Sequence, residues 1–274
     1  MRCQTKYPIL LLHGMGFHDR LPIHAYWGRI PHLLRKNGAA VYFGNQDGNA
    51  TTQSNARILA GVVRHILAET GAEKLNIIAH SKGGLEARYL VSSMGMGDVI
   101  ASITTLSTPH NGSVTVDKLL SRFPTIIRAG SAVTDLGRRL LGDRNPHTYW
   151  TICQFTTDYM RRFNLRNPDD PRVFYQSYAF VMQSPMSDPV MAIPNWIVSL
   201  FEGENDGLLT PKNAEWTNFR GIYTGTTQRG ISHPDETDYR RFRFTKQEPV
   251  GEREISDMAQ FYLCIAEDLK RRGF

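Results

Sequence analysis

A chain of 274 residues that is 41% hydrophobic, 10% aromatic and 21% charged has the balance of a folded globular protein, which excludes an intrinsically disordered one. At this length it can bury roughly 75% of the surface that its unfolded chain exposes. The net charge of +6 comes without a run of five or more basic residues and without a basic-aromatic motif, so nucleic acid is not an expected partner.

The three cysteines, Cys3, Cys153 and Cys264, lie far apart and form no C-x-x-C pair, which argues against a disulfide scaffold and a cysteine zinc cluster. The early apolar run Ile9 to Leu12 is too short for a signal-peptide core or a membrane span. The expectation is a cytoplasmic protein, or a secreted one if a leader has been removed.

In chain order, Tyr7 to Leu12 predicts a strand ending at His13-Gly14, Ala25 to Lys36 a helix, and Ala40 to Phe43 a second strand bounded by glycines. Ala56 to Ala68 carries Ile58, Leu59, Val62, Val63, Ile66 and Leu67 at helical spacing, with Gly71 as its stop. Lys74 to Ala79 reads as a strand, Lys82 to Met94 as a helix and Ala101 to Leu106 as a strand. Repeated β-then-α units favour a mostly parallel sheet flanked by helices. From Val114 to Asn167 only helical patterns occur, which predicts a helical cap inserted at about 113–171 in one α/β domain spanning 1–274. Strand signals return at Val173 to Val181 and Gly221 to Thr224, and an amphipathic helix over Ile255 to Lys270 closes the chain.

Chemistry concentrates at Ala79-His80-Ser81-Lys82-Gly83-Gly84, where a serine falls between a buried-looking strand and a helix. A serine in so tight a turn needs small residues two before and two after it, and Ala79 and Gly83 meet that demand. A serine hydroxyl needs a base to take its proton and an acid to orient that base. In this kind of sheet the partners follow in the order Ser, then Asp or Glu, then His. His233, in a loop between the last strand signal and the final helix, is the candidate base. Asp206, in the polar turn Asn205-Asp206-Gly207, is the candidate acid, with Asp188 as rival and Glu202 and Glu204 behind it. Two backbone N–H groups would receive a developing oxyanion: that of Lys82, directly after the serine, and that of Met15 in the glycine-rich loop His13-Gly14-Met15-Gly16.

Together with Tyr7-Pro8-Ile9, Ser107-Thr108-Pro109-His110-Asn111-Gly112-Ser113, Glu204-Asn205-Asp206-Gly207-Leu208 and Ser232-His233, these segments give a chain that resembles the bacterial triacylglycerol lipases of the α/β-hydrolase superfamily. The resemblance extends over most of the chain. It implies an α/β-hydrolase fold and hydrolysis of carboxylic esters, with Ser81 as nucleophile, Asp206 as acid, His233 as base and the Met15 and Lys82 amides as oxyanion hole. It also implies a small-molecule or lipid ester as substrate. Some of these lipases hold calcium through a carboxylate two residues after the histidine, here Asp235, with Asp188 as a further oxygen. Two aspartates fall short of the six or more oxygens that calcium takes, so no metal or other cofactor is expected, with a structural calcium as the alternative. The zinc-bearing insertion of thermophilic relatives has no room between Asp47 and Lys74.

The segment from Ser113 to Asn167 holds nine Lys or Arg against four Asp, so its +5 is most of the chain's charge. Its helices therefore predict either a lid over the serine that meets a lipid interface transiently, or a packed cap with a solvated outer face. Phe123, Trp150 and Phe155 are the candidate acyl-pocket residues. The alternatives in function are an acyltransferase or polyester hydrolase using the same three residues, and a non-catalytic binding module on the same fold.

Overall fold

The computed structural model describes residues 1–19, 26–226, 229–239 and 254–274. In chain order its elements are β1 (Ile9–Leu12), α1 (Ile30–Lys36), β2 (Val41–Phe43), α2 (Thr52–Thr70), β3 (Leu75–His80), α3 (Lys82–Val91) and β4 (Ile100–Leu106). Four helices follow: α4 (Val114–Arg122), α5 (Pro124–Leu140), α6 (Thr148–Cys153) and α7 (Thr157–Arg166). The chain then returns to the sheet through β5 (Phe174–Phe180), α8 (Ala192–Phe201), α9 (Pro211–Ala214), β6 (Phe219–Gly225), β7 (Glu254–Ile255) and α10 (Met258–Arg271).

The strands form one sheet in the order β2-β1-β3-β4-β5-β6-β7, and every pairing is parallel. Successive side chains of a strand point to opposite faces, and here both faces are covered, which is why β1 is four apolar residues in a row. Ile9 and Leu11 enter a core built with α1 and α10 around Trp27, Leu34 and Tyr262. Leu10 and Leu12 enter the opposite core, built with α2 and α3 around Leu59, Val63 and Leu90.

Caps set several helix ends. Thr51 accepts the Ser54 amide at the start of α2, one turn before the predicted Ala56, and Gly71 closes the helix in the left-handed conformation at φ 68°. The first helix starts later than predicted: Ala25 lies outside the described residues, and α1 begins at Ile30. Pro31 is the reason, because proline fits the first turn of a helix but clashes with the preceding turn from the interior. The final helix also starts later than predicted. Ile255 belongs to β7, and Asp257, with an extended backbone, caps α10 by accepting the Ala259 and Gln260 amides. The predicted Lys82 to Met94 helix ends at Val91.

The helices α4 to α7 occupy the chain between β4 and β5, as the helix-only patterns predict. On α5, Ile126, Val133, Leu136 and Leu140 are exposed. No described helix is long and apolar enough to cross a membrane.

Candidate active site

Ser81 sits between β3 and α3 with φ 53° and ψ −129°, a backbone region that a residue with a Cβ rarely adopts. The sharp turn is pinned from three directions. The Ser81 amide donates to Leu106 O at 2.9 Å, the Thr108 hydroxyl donates to Ser81 O at 2.8 Å, and the Gly84 amide donates to the same oxygen at 3.1 Å. Gly83 is required by close approach, since a Cβ there would stand 2.7 Å from Leu12 O and 2.8 Å from His13 O.

The loop after β1 passes directly beside the serine. A Cβ on Gly14 would lie 3.0 Å from the Ser81 Cβ and 2.8 Å from the Tyr26 hydroxyl, so only glycine lets this loop come so near. Arg138, near the end of α5, holds the loop from the other side by donating to Gly16 O at 2.9 Å. Arg138 also pairs with Asp143 at 3.1 Å, and Asp143 accepts the Gly48 and Asn49 amides at 2.8 and 3.0 Å. Burial works to raise the Asp143 pKa, but hydrogen bonds from His18 and Arg138 overcome it and hold the carboxyl well below its usual range.

Asp206 and His233 come from the loops that precede α9 and follow β6. The His233 Nδ1 lies 2.8 Å from Asp206 Oδ2. Asp206 Oδ1 accepts the Leu208 and Leu209 amides, each at 2.8 Å, in the turn predicted from Asn205-Asp206-Gly207. Burial alone would raise the Asp206 pKa, yet the charge of His233 and its hydrogen bond bring it down to about 2, so Asp206 is a carboxylate at neutral pH.

The rival carboxylates are occupied elsewhere. Glu202 accepts from the Ser113 hydroxyl, the Thr115 amide and Asn213 at 2.7 to 2.8 Å, which ties the start of α4 to the loop before α9. Glu204 is exposed, and Asp188 accepts the amides of Val190 and Met191. Asp188 therefore closes its own turn, while Asp235 accepts the Ser232 hydroxyl at 2.9 Å. These two aspartates belong to no cluster of three His, Cys or acidic ligand atoms among the described residues.

Ser81, His233, Met15 and Gly14 line one cavity of about 350 Å³. Its apolar wall is Phe17, Val190, Met191, Leu208 and Tyr239. Phe123, Trp150 and Phe155 are not in this lining, which corrects the acyl-pocket expectation. Phe123 and Trp150 are exposed, and Phe155 packs against a small separate core of Leu85, Met160 and Phe163. Three of the five wall residues, Val190, Met191 and Leu208, come instead from the connection between β5 and β6, where Val190 and Leu208 have no periodicity to mark them. Lys82 follows the serine as predicted, and its buried ammonium pairs with Glu86 and donates to Ala50 O at 3.1 Å. Only its backbone N–H, in the first turn of α3 where no intrahelical acceptor exists, is suited to receive an anion.

Four buried side chains around this site were not singled out from the sequence: Tyr26, His80, Ser107 and Glu236. His80 and Ser107 lie inside quoted motifs, and Glu236 is three residues after His233, a spacing that one helical turn brings to the same side.

The seven-stranded parallel sheet covered by helices on both faces, with a strained serine on the turn after β3, defines an α/β-hydrolase architecture. Residues 7–201 match the family model described as alpha/beta hydrolase fold, and the chain belongs to that family. It is 32% identical over 267 residues to Triacylglycerol lipase 2 of Saccharomyces cerevisiae, covering 91% of this chain and 74% of the yeast protein. It is 39% identical over 117 residues to the triacylglycerol lipase of Pseudarthrobacter phenanthrenivorans, covering 41% of this chain and 36% of that protein. The chain thus spans about three quarters of the yeast relative and about a third of the bacterial one. Among solved structures, the mature Bacillus licheniformis lipase aligns with a TM-score of 0.64 at 22% identity, over 84% of this chain and 86% of that one. A metagenomic carboxyl esterase aligns with a TM-score of 0.71 at 15% identity, over 98% of this chain and 76% of that one.

Proposed function

We propose that the protein hydrolyses carboxylic esters of apolar acyl groups through an acyl-enzyme on Ser81. The observation that carries this reading is the convergence of Ser81, the Asp206–His233 pair and the Gly14–Met15 loop on one largely apolar cavity. The Ser81 hydroxyl attacks the ester carbonyl while its proton passes to His233 Nε2. Asp206 holds the imidazole with its Nδ1–H inward and compensates the imidazolium that forms. The Met15 and Lys82 amides take the oxyanion; collapse expels the alcohol with the proton from His233, and water then attacks the acyl-enzyme with His233 again as base. These side chains and amides complete the reaction without a metal. The relatives named as triacylglycerol lipases and the apolar wall favour lipid esters as substrates. The exposed apolar residues of α5, among the cations of the same segment, supply a face for transient contact with a lipid surface.

The test is hydrolysis of p-nitrophenyl esters from acetate to palmitate, with fluorophosphonate labelling of the wild type and of Ser81→Ala. Turnover and labelling that both vanish in the variant support the reading. Turnover that persists in Ser81→Ala rejects the nucleophile, and a wild type that neither turns over nor labels rejects the enzyme.

A further inference from the structure

We propose that Glu236 is a positioning residue of the Ser81–His233–Asp206 set: it is a carboxylic acid that donates its proton to Asp206 and, through His80 and Tyr26, ties that carboxylate to the Gly14 loop. This deepens the ester-hydrolase reading and rests on it.

Glu236 is fully buried on the short turn Asp235–Thr237. Its Oε1 accepts the Ser107 hydroxyl at 2.8 Å and stands 3.8 Å from His233 Nδ1, while its Oε2 lies 3.1 Å from His80 Nε2. Asp206 Oδ2 and Glu236 Oε1 thus stand 2.8 and 3.8 Å from the same imidazole nitrogen, which brings the two buried carboxyl groups together. Two buried carboxyl groups that share one imidazole nitrogen disfavour a second negative charge, which leaves one proton on the pair. Asp206 already accepts three N–H donors, from His233, Leu208 and Leu209, which settle the negative charge on it. Among the described residues, the other titratable groups facing Glu236 are His80, Asp235, Tyr26 and Tyr262, none of them a lysine or arginine that would offset a second anion. Burial pushes Glu236 up and His80 down, with Asp206 and His233 respectively adding to each shift, so both are driven towards their neutral forms.

Once Glu236 carries the proton, every remaining bond has one direction. Gly14 N–H donates to the Tyr26 oxygen at 2.8 Å and Tyr26 O–H donates to His80 Nδ1. His80 Nε2–H donates to Glu236, Glu236 O–H donates to Asp206, and Asp206 accepts His233 Nδ1–H. This ordered chain joins the loop that carries Met15 to the acid of the candidate triad, and its bonds strengthen one another in the low-dielectric interior.

The experiment is infrared spectroscopy of the full protein at neutral pH, without substrate, combined with pH profiles. The wild type should show the carbonyl stretch of a protonated carboxylic acid, lost in Glu236→Gln. That variant should lower kcat about three- to tenfold at unchanged KM and leave the acid limb of kcat/KM in place, because no charge is removed. Tyr26→Phe, at the far end of the chain, should also lower kcat with KM kept. If no carboxylic-acid band disappears, or if the acid limb in Glu236→Gln moves down by about one unit or more, Glu236 is an anion beside His233 and the proposal is overturned. Should Glu236→Gln fail to fold, Ser107→Ala removes one hydrogen bond to the same carboxyl and must shift the band; an unmoved band overturns the proposal equally. The band is read without turnover, so a protein that shows it but hydrolyses no ester rejects the function alone.

Discussion

His233 is joined to Asp206 twice: its Nδ1 meets Asp206 Oδ2 at 2.8 Å, and its backbone N–H donates to the Asp206 carbonyl oxygen at 2.7 Å. The second bond does not depend on the carboxylate, so position and charge can be separated by mutation. In Asp206→Asn the loops stay docked, but the amide can present its NH₂ to Nδ1 and favour the wrong imidazole tautomer. We expect kcat to fall by roughly 10⁴ while the circular dichroism spectrum is kept, and KM to change little. A loss below tenfold would remove Asp206 from the role of orienting acid.

The strained serine leads to a second expectation. At φ 53° and ψ −129° a Cβ costs on the order of 1–3 kcal/mol, which glycine relieves. Ser81→Gly should be inactive towards esters yet melt at a higher temperature than Ser81→Ala. Equal melting temperatures for the two variants would show that the turn stores no strain at this residue.

Much of this arrangement was legible in the sequence because it is local. Apolar runs gave β1, β3 and β4, helical spacing gave α2, and small residues around Ser81 gave the elbow. Chain order and turn composition point to Asp206 and His233, although only folding brings them together across a sequence separation of 27 residues. The cavity wall was not legible, because Val190 and Leu208 lie in irregular connections whose side chains are aimed by tertiary packing. Phe123 and Trp150 are large and apolar, but the sequence does not say which face of a helix is covered, and both are exposed. Glu236 went unnoticed for a related reason: a lone glutamate usually faces solvent, and only burial reveals its partners.

Arg138 and Asp143 join the helical segment to the loop beside the serine. Arg138→Met keeps the length of the side chain but removes its bonds to Gly16 O and Asp143. It leaves the Asp143 carboxylate short of one partner in a buried site, at a cost of about 1–3 kcal/mol in unfolding free energy. Because the loop it releases carries the Met15 amide, kcat should drop about tenfold or more with KM nearly constant. A stability loss without any change in kcat would make this contact structural only.

Val190 is exposed at the rim of the cavity, and it lines the same space as Ser81. Val190→Trp adds bulk along the path of a long acyl chain and leaves the region beside Ser81 unaltered. The ratio of kcat/KM for palmitate over acetate should fall about tenfold, a size set by the few methylenes that lose apolar contact. An unchanged ratio would place the acyl chain along another wall.

Glu236 makes a thermodynamic prediction that needs no assay of activity. Its folded pKa is raised above the unfolded value of about 4.3, so what it contributes is fully present below pH 4 and is lost as pH rises towards the folded pKa. Asp206 works in the opposite sense: lowered to about 2, it adds stability above pH 4 that is lost as pH falls from about 4 to 2. Glu236→Gln removes the first dependence and retains the second. The difference in unfolding free energy, variant minus wild type, should therefore grow more positive by about 1.4 kcal/mol per pH unit above pH 4.3, for as long as the folded wild type keeps its proton. Denaturant unfolding of both proteins between pH 3.5 and 7 measures that slope, and a difference independent of pH would mean that Glu236 ionises in the folded protein as readily as in the unfolded chain.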